Sequence, residues 1–134
     1  MEHRKILFIE DEEDVRDAVK FILEGDGYEF YGASSGPEGI AKITQYDIDL
    51  LLLDIMMPGI DGFEVCRAIK SEPAIDLPVV FISARADATD IARGFALGAD
   101  DYIIKPFEPR DLVSRVQRVL DKYNRIRKSK PIQS

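Results

Sequence analysis

The 134-residue chain reads as a doubly wound α/β domain. Apolar runs of strand length alternate five times with segments of helical period. The runs are continuously apolar rather than alternating, which marks strands covered on both faces and hence a parallel sheet. The length suits one core, since single domains usually occupy roughly 100–200 residues.

Lys5 to Glu10 (KILFIE) reads as the first buried strand. Val15, Ala18, Val19, Ile22 and Leu23 then fall at i, i+3, i+4, i+7 and i+8, one stripe of a helix that Gly25 or Gly27 ends. Tyr28 to Ala33 is a shorter strand candidate. Ser35 with Glu38 has capping-box spacing ahead of a helix over 36–45. Asp49 to Asp54 (DLLLLD) is the third strand, and Asp61 with Glu64 repeats the capping spacing before a helix over 62–71. Pro78 to Ser83 (PVVFIS) is the fourth strand, followed by a helix over 87–97 and a short strand at Tyr102 to Lys105. The last helix opens at Pro109, a favoured first-turn proline, and turns Leu112, Val113, Val116, Val119 and Leu120 inward. Tyr123 and Ile126 continue that stripe, which predicts an extension beyond Asp121. Right-handed crossovers place helices on both faces of such a sheet.

Composition narrows the function classes. Hydrophobic residues make up 46% of the chain, which excludes disorder and fibrous scaffolds. No apolar run approaches the ~20 residues of a membrane-spanning helix. His3-Arg4-Lys5 precede only four apolar residues before Glu10, too few for a signal-peptide core, so a cytoplasmic location is expected. One cysteine, Cys66, excludes an internal disulfide and a thiolate-built metal site. It lies on an apolar helix face with Phe63 and Ile69 and reads as a small core residue. His3, the lone histidine, is expected exposed, which leaves no histidine-based triad. Met56 and Met57 read as loop packing rather than sulfur ligands.

Charge is unevenly placed. Residues 121–134 carry +4 and the preceding 120 carry −11 within a net charge of −7. The acidic body repels nucleic acid and attracts a divalent cation or a basic partner. In doubly wound sheets the ligand crevice lies beyond the carboxyl ends of the strands, where the winding reverses. There the first strand ends in Glu10-Asp11, the third in Asp54, the fourth in Ser83 and the fifth in Lys105-Pro106. Clustered carboxylates raise one another's pKa and are costly without a cation. Oxygen ligands alone suit a hard metal, Mg²⁺ first among them. A hard cation, a lysine, a hydroxyl and a nucleophilic carboxylate are together what phosphoryl transfer needs.

The motifs ILFIEDEEDVR, LLLLDIMMPGIDGFEV, VVFISA and GADDYIIKPF, in this order and in register with the strands, resemble the receiver domain of two-component response regulators. The resemblance implies a five-stranded parallel sheet in the order 2-1-3-4-5 with five helices, a flavodoxin-like three-layer sandwich. It also implies a receiver domain over 1–121 and a basic extension or linker over 122–134. Asp54 matches the phospho-acceptor, supplied by a sensor histidine kinase, a phosphotransfer protein or a small phosphodonor. Glu10, Asp11, Asp54 and the Met56 backbone carbonyl match the Mg²⁺ ligands, and Lys105 matches the lysine that reaches the phosphoryl group, its bond to Pro106 cis. Ser83 and Tyr102 match two switch residues that remodel the face of the fourth helix, fifth strand and fifth helix. Glu10 stands where the family more often has Asp. Asp100, Asp101, Arg115 and Arg118 resemble part of a charged homodimer face in winged-helix regulators, although Ala96 replaces a usual glutamate there. Neither membrane nor direct nucleic-acid binding is implied for the domain.

Two other readings meet contrary residues. An aspartyl-phosphate phosphatase or phosphotransferase of the haloacid-dehalogenase type wants an acid two residues after the nucleophile, where this chain has Met56. A flavin carrier wants a hydroxyl- and glycine-rich loop after the first strand, where Glu10 to Asp14 would repel the flavin phosphate.

Overall fold

The computed structural model describes residues 3–129, and the side chains of 3–124. Its elements run β1 (Lys5–Ile9), α1 (Glu13–Gly25), β2 (Glu29–Ala33), α2 (Gly36–Tyr46), β3 (Leu50–Leu53), α3 (Gly62–Lys70), β4 (Val79–Ser83), α4 (Ala88–Ala96), β5 (Asp101–Ile104) and α5 (Pro109–Ser129). The strands form one sheet in the order β2-β1-β3-β4-β5, every pair parallel. The doubly wound architecture expected from the apolar runs is the observed one.

Successive residues of the inner strands enter opposite cores, as the two-residue period of a strand requires. Leu7, Ile9, Leu51, Leu53, Val79 and Phe81 pack on one face with Phe63, Val65 and Ile69 of α3. Ile6, Phe8, Leu50, Leu52, Val80 and Ile82 pack on the other with Val19 and Leu23 of α1 and Leu112 and Val116 of α5. All six residues of the second set are fully buried, which is why these runs show no polar alternation.

The strands are shorter than the apolar runs, and the trimmed residues matter. β1 stops at Ile9, so Glu10 is the first residue past the strand end, although its amide still donates to the Ala33 carbonyl at 2.9 Å. β3 stops at Leu53, and β5 is shifted back by one to Asp101–Ile104, which leaves Lys105 just beyond it. α1 ends at Gly25 with Asp26 as its cap, and Gly27 makes the turn into β2 at φ +89°. Ser35 caps α2 by accepting from the Glu38 amide at 3.3 Å, but the Glu38 carboxylate turns to Ser34 instead of closing the box on Ser35. Asp61 caps α3 through the Glu64 amide at 2.9 Å. α5 does run past Asp121, and the side chain of Ile126 lies outside the described residues.

Candidate functional site

Register assembles the site. Ile9 of β1 lies beside Leu53 of β3, so Glu10 and Asp54, one residue further on, emerge side by side where the winding reverses. The Asp54 amide donates to the Ile9 carbonyl at 3.1 Å and fixes this stagger. Ser83 of β4 pairs with Ile104 of β5, and the Lys105 amide donates to the Ser83 carbonyl at 2.8 Å. The Lys105-Pro106 bond is cis.

The strand ends converge on a charged pocket. Glu10, Asp54 and Ser83 are the buried polar side chains of the described residues, with Glu10 only 1% exposed. Lys105 Nζ donates to Glu10 Oε1 at 2.8 Å and lies 3.7 Å from Asp54 Oδ2. Asp11 stays exposed at the rim. Arg16 of α1 holds the turn from outside, donating to the Glu10 backbone carbonyl at 2.6 Å. Burial pushes the Glu10 carboxyl up to about 7, and the neighbouring Asp54 charge adds to this while Lys105 opposes it.

These residues fit a hard divalent cation. The second Glu10 oxygen, Oε2, is buried and finds no hydrogen-bond donor. One carboxylate oxygen each from Glu10, Asp11 and Asp54 lie within 4.8 Å of one another. A buried acceptor left over beside three clustered carboxylates has an electrostatic deficit that a cation with oxygen ligands relieves.

A second set of contacts links the pocket to the surface. Ser83 Oγ accepts from the Arg85 amide at 3.1 Å, and the Tyr102 hydroxyl donates to the Arg85 carbonyl at 2.7 Å. The Tyr102 ring is buried against Phe81, at 5.9 Å between centroids, and burial raises its phenol above the ordinary tyrosine range. The two residues matched to a switch therefore share one backbone unit, that of Arg85, which side-chain patterning does not reveal. Met56 and Arg85 flank a shallow cavity of about 350 Å³ together with Met57, Pro58 and Asp61. Met57 is packed as expected, but Met56 is 57% exposed, so its side chain faces solvent beside Asp54 rather than packing the loop.

Several charges have partners that the sequence does not announce. Asp100 turns inward to accept from the Val79 amide at 3.0 Å and lies 3.6 Å from Lys70. Asp101 pairs with Arg115 at 3.0 Å within the domain. Glu10 rather than Asp54 holds Lys105 most closely. Gly62 opens α3 directly behind the Asp54 loop. An added Cβ there would lie 2.2 Å from the Asp54 carbonyl oxygen, a backbone approach created by the docking of α3.

Comparison with known proteins agrees with this geometry. The family model described as the response regulator receiver domain matches residues 6–117. The chain is 43% identical over 116 residues to the transcriptional regulatory protein ResD of Bacillus subtilis, covering 87% of this chain and 48% of that protein. It is 39% identical over 122 residues to the transcriptional regulatory protein CseB of Streptomyces avermitilis, covering 91% of this chain and 51% of that one. The chain thus spans about half the length of these relatives. Its fold superposes on a putative response regulator from Chloroflexus aurantiacus with a TM-score of 0.85 and 36% identity, covering 90% of this chain and 99% of the other. A parallel sheet in this order, a carboxylate pocket at its winding reversal and a family match across most of the chain agree: the protein belongs to the response regulator receiver domain family.

Proposed function

We propose that the chain is a phosphorylation-operated switch in which Asp54 accepts a phosphoryl group and the surface of α4, β5 and α5 reports it. The observation that carries this reading is the buried Glu10–Asp54–Lys105 cluster at the strand ends, with Ser83 beside it. An Asp54 carboxylate oxygen forms the new bond to phosphorus as the donor's bond to phosphorus breaks. The donor is a phosphohistidine on a sensor kinase or phosphotransfer protein, or a small acyl phosphate. Lys105, already 3.7 Å from Asp54, moves its charge from Glu10 toward the transferred group. Ser83 donates its hydroxyl proton to a phosphoryl oxygen, which draws the Arg85 backbone and with it Tyr102.

Glu10, Asp11, Asp54 and the Met56 carbonyl would hold Mg²⁺, which, when bound, screens the charge of the entering phosphoryl oxygens. Residues 1–121 serve as the receiver, and 122–134 as a basic extension of the last helix or a linker. The relatives' description as transcriptional regulators suggests an output on DNA, carried by a part other than this domain. The domain is a signalling module rather than a turnover enzyme. Its position two residues after Asp54 is the exposed Met56, which offers no proton to a leaving group. No described helix is long and apolar enough to cross a membrane, and a cytoplasmic site of action follows from the proposed donors. Pairing of two copies through α4–β5–α5 is a further part of the proposal. Asp101 and Arg115 already lie together on that face, whereas Asp100 is committed to Lys70.

Incubation with acetyl phosphate and Mg²⁺, followed by intact-mass analysis, tests the central claim. The wild type gains one phosphoryl group and Asp54→Asn gains none. An unmodified wild type, or a modification that survives in Asp54→Asn, refutes it.

The lifetime of that group follows from Met56. Hydrolysis requires a water in line with phosphorus, and a thioether does not orient it. Met56→Glu or Met56→Asn is therefore expected to change the dephosphorylation rate at least threefold, read by the decay of the phosphorylated mass. Unaltered decay in both variants removes Met56 from the account.

A further inference from the structure

α4 meets the sheet through Gly94 and the partly buried Ile91. Gly94 is its sole buried residue, and Phe95, one position on, is 47% exposed. A Cβ added at Gly94 would stand 3.1 and 3.2 Å from the Phe81 ring and 3.3 Å from Tyr102 Cδ2. All three distances are shorter than an ordinary carbon–carbon contact of about 3.5–4.0 Å. We propose that Gly94 is the positioning residue of the switch: its missing side chain is the space into which the Tyr102 ring fits, and a methyl group there drives that ring out.

The argument turns on which neighbour can yield. Phe81 is fully buried on a strand flanked by β3 and β5, with the Phe63 ring edge against it at 5.4 Å. Phe63 is itself fully buried and capped by the Arg93 guanidinium, 4.3 Å from its centroid. Phe81 therefore has no free volume to enter, as expected of a core packed to crystal density. The Arg93 contact also holds α4 down at the residue next to Gly94. Tyr102 lies on β5, the edge strand, and its hydroxyl donates to the Arg85 carbonyl beside the Ser83 side chain. It can leave by rotating toward solvent, so it is the group that gives. Its departure frees the Arg85 backbone, whose amide is the donor to Ser83 Oγ at the pocket. Gly94 thus acts through Tyr102 and Arg85 without touching the phospho-acceptor.

The consequence for signalling rests on the function proposed above, but ring position is read without phosphorylation. Proteins with labelled tyrosine and phenylalanine rings would be compared by nuclear Overhauser contacts in the unmodified state: wild type, Gly94→Ala, and Gly94→Ala combined with Phe81→Leu, which shortens the opposing ring. The wild type should show the Tyr102–Phe81 contact, and Gly94→Ala should lose at least four-fifths of its intensity. In the double variant, Tyr102 should regain its contact with residue 94. An undiminished contact in Gly94→Ala, or an outward ring in the double variant, overturns the proposal. If Gly94→Ala does not fold, the double variant decides by the same criterion. Acetyl phosphate modification is followed separately. A wild type that is not modified counts against the proposed function, while the ring contacts still judge Gly94.

Discussion

Replacing Glu10 with Gln is expected to stabilise the protein at pH 8 without divalent cations by about 2 kcal/mol. Glu10 is buried, one of its oxygens has no donor, and its carboxyl is pushed up to about 7 from an ordinary 4.5. An acid whose folded pKa is raised makes the native state hold its proton more tightly than the unfolded chain does. The penalty is absent below about pH 4.5, grows through the interval to about 7, and is complete above it. At about 1.4 kcal/mol per pH unit the ceiling is roughly 3 kcal/mol, reduced because Lys105 is partly exposed and its environment screened. Breaking a buried ion pair is ordinarily destabilising, since the surviving charge is stranded. Here the survivor is Lys105, which is about one-quarter exposed and keeps Asp54 at 3.7 Å, so relief of Glu10 outweighs loss of the pair.

The same substitution should weaken stabilisation by Mg²⁺. A cation that binds the native state alone stabilises in proportion to ln(1 + [L]/Kd), so removing one of three clustered carboxylates reduces the effect directly. Urea unfolding at pH 4.5, 6 and 8, with and without 10 mM (~100-fold over a typical protein concentration) Mg²⁺, measures both effects. The curves of wild type and Glu10→Gln should converge at the lowest pH and separate upward. A variant less stable than wild type at pH 8 without Mg²⁺ would show that the Lys105 pair, not the burial penalty, dominates this pocket.

How far the sequence discloses this site depends on the range of the interaction. Glu10, Asp54, Ser83 and Lys105 were legible because apolar runs end at them, and a parallel sheet lines up strand ends. The buried strands were legible for the same reason, since Leu50 to Leu53 leave no polar side to misread. What patterning could not supply was pairing. The attachment of Lys105 to Glu10 depends on a separation of 95 residues closed by the sheet, and that of Asp100 to Lys70 on how α3 ends against β4. The Glu38 carboxylate accepts from the Ser34 amide and hydroxyl, a partner that the capping-box spacing does not name. Gly62 and Gly94 carry no signal beyond being glycine. Their meaning is the space left where a helix docks, on the Asp54 loop for Gly62 and on β4 and β5 for Gly94, a property of docking rather than of local sequence.

Gly62→Ala therefore should cost far more than its chemistry suggests. Gly62 is the first residue of α3, and its amide donates to the Ile55 carbonyl at 2.9 Å, folding the helix start back on the loop that carries Asp54. An added Cβ would lie 2.2 Å from the Asp54 carbonyl oxygen, 2.8 Å from Ile55 Cα and 2.9 Å from Asp54 C. All three are backbone atoms, so no side-chain rotation relieves the overlap. Alanine gains up to about 1 kcal/mol over glycine within a helix, whereas overpacking of this kind costs about 1–3 kcal/mol and sometimes more. The steric term wins, and a net loss of about 2 kcal/mol is expected. The loop can only retreat with Asp54 on it, away from Glu10 and Lys105, so phosphoryl incorporation from acetyl phosphate should fall at least tenfold. Gly25→Ala is the matched control. Gly25 closes α1 with nothing within 4 Å of its added Cβ, so it should stabilise by about 0.5 kcal/mol and leave incorporation unchanged. Urea midpoints and initial rates of mass gain separate the two glycines. A Gly62→Ala protein with the wild-type midpoint and rate would mean that the approach of α3 to Asp54 does not hold the phospho-acceptor in place.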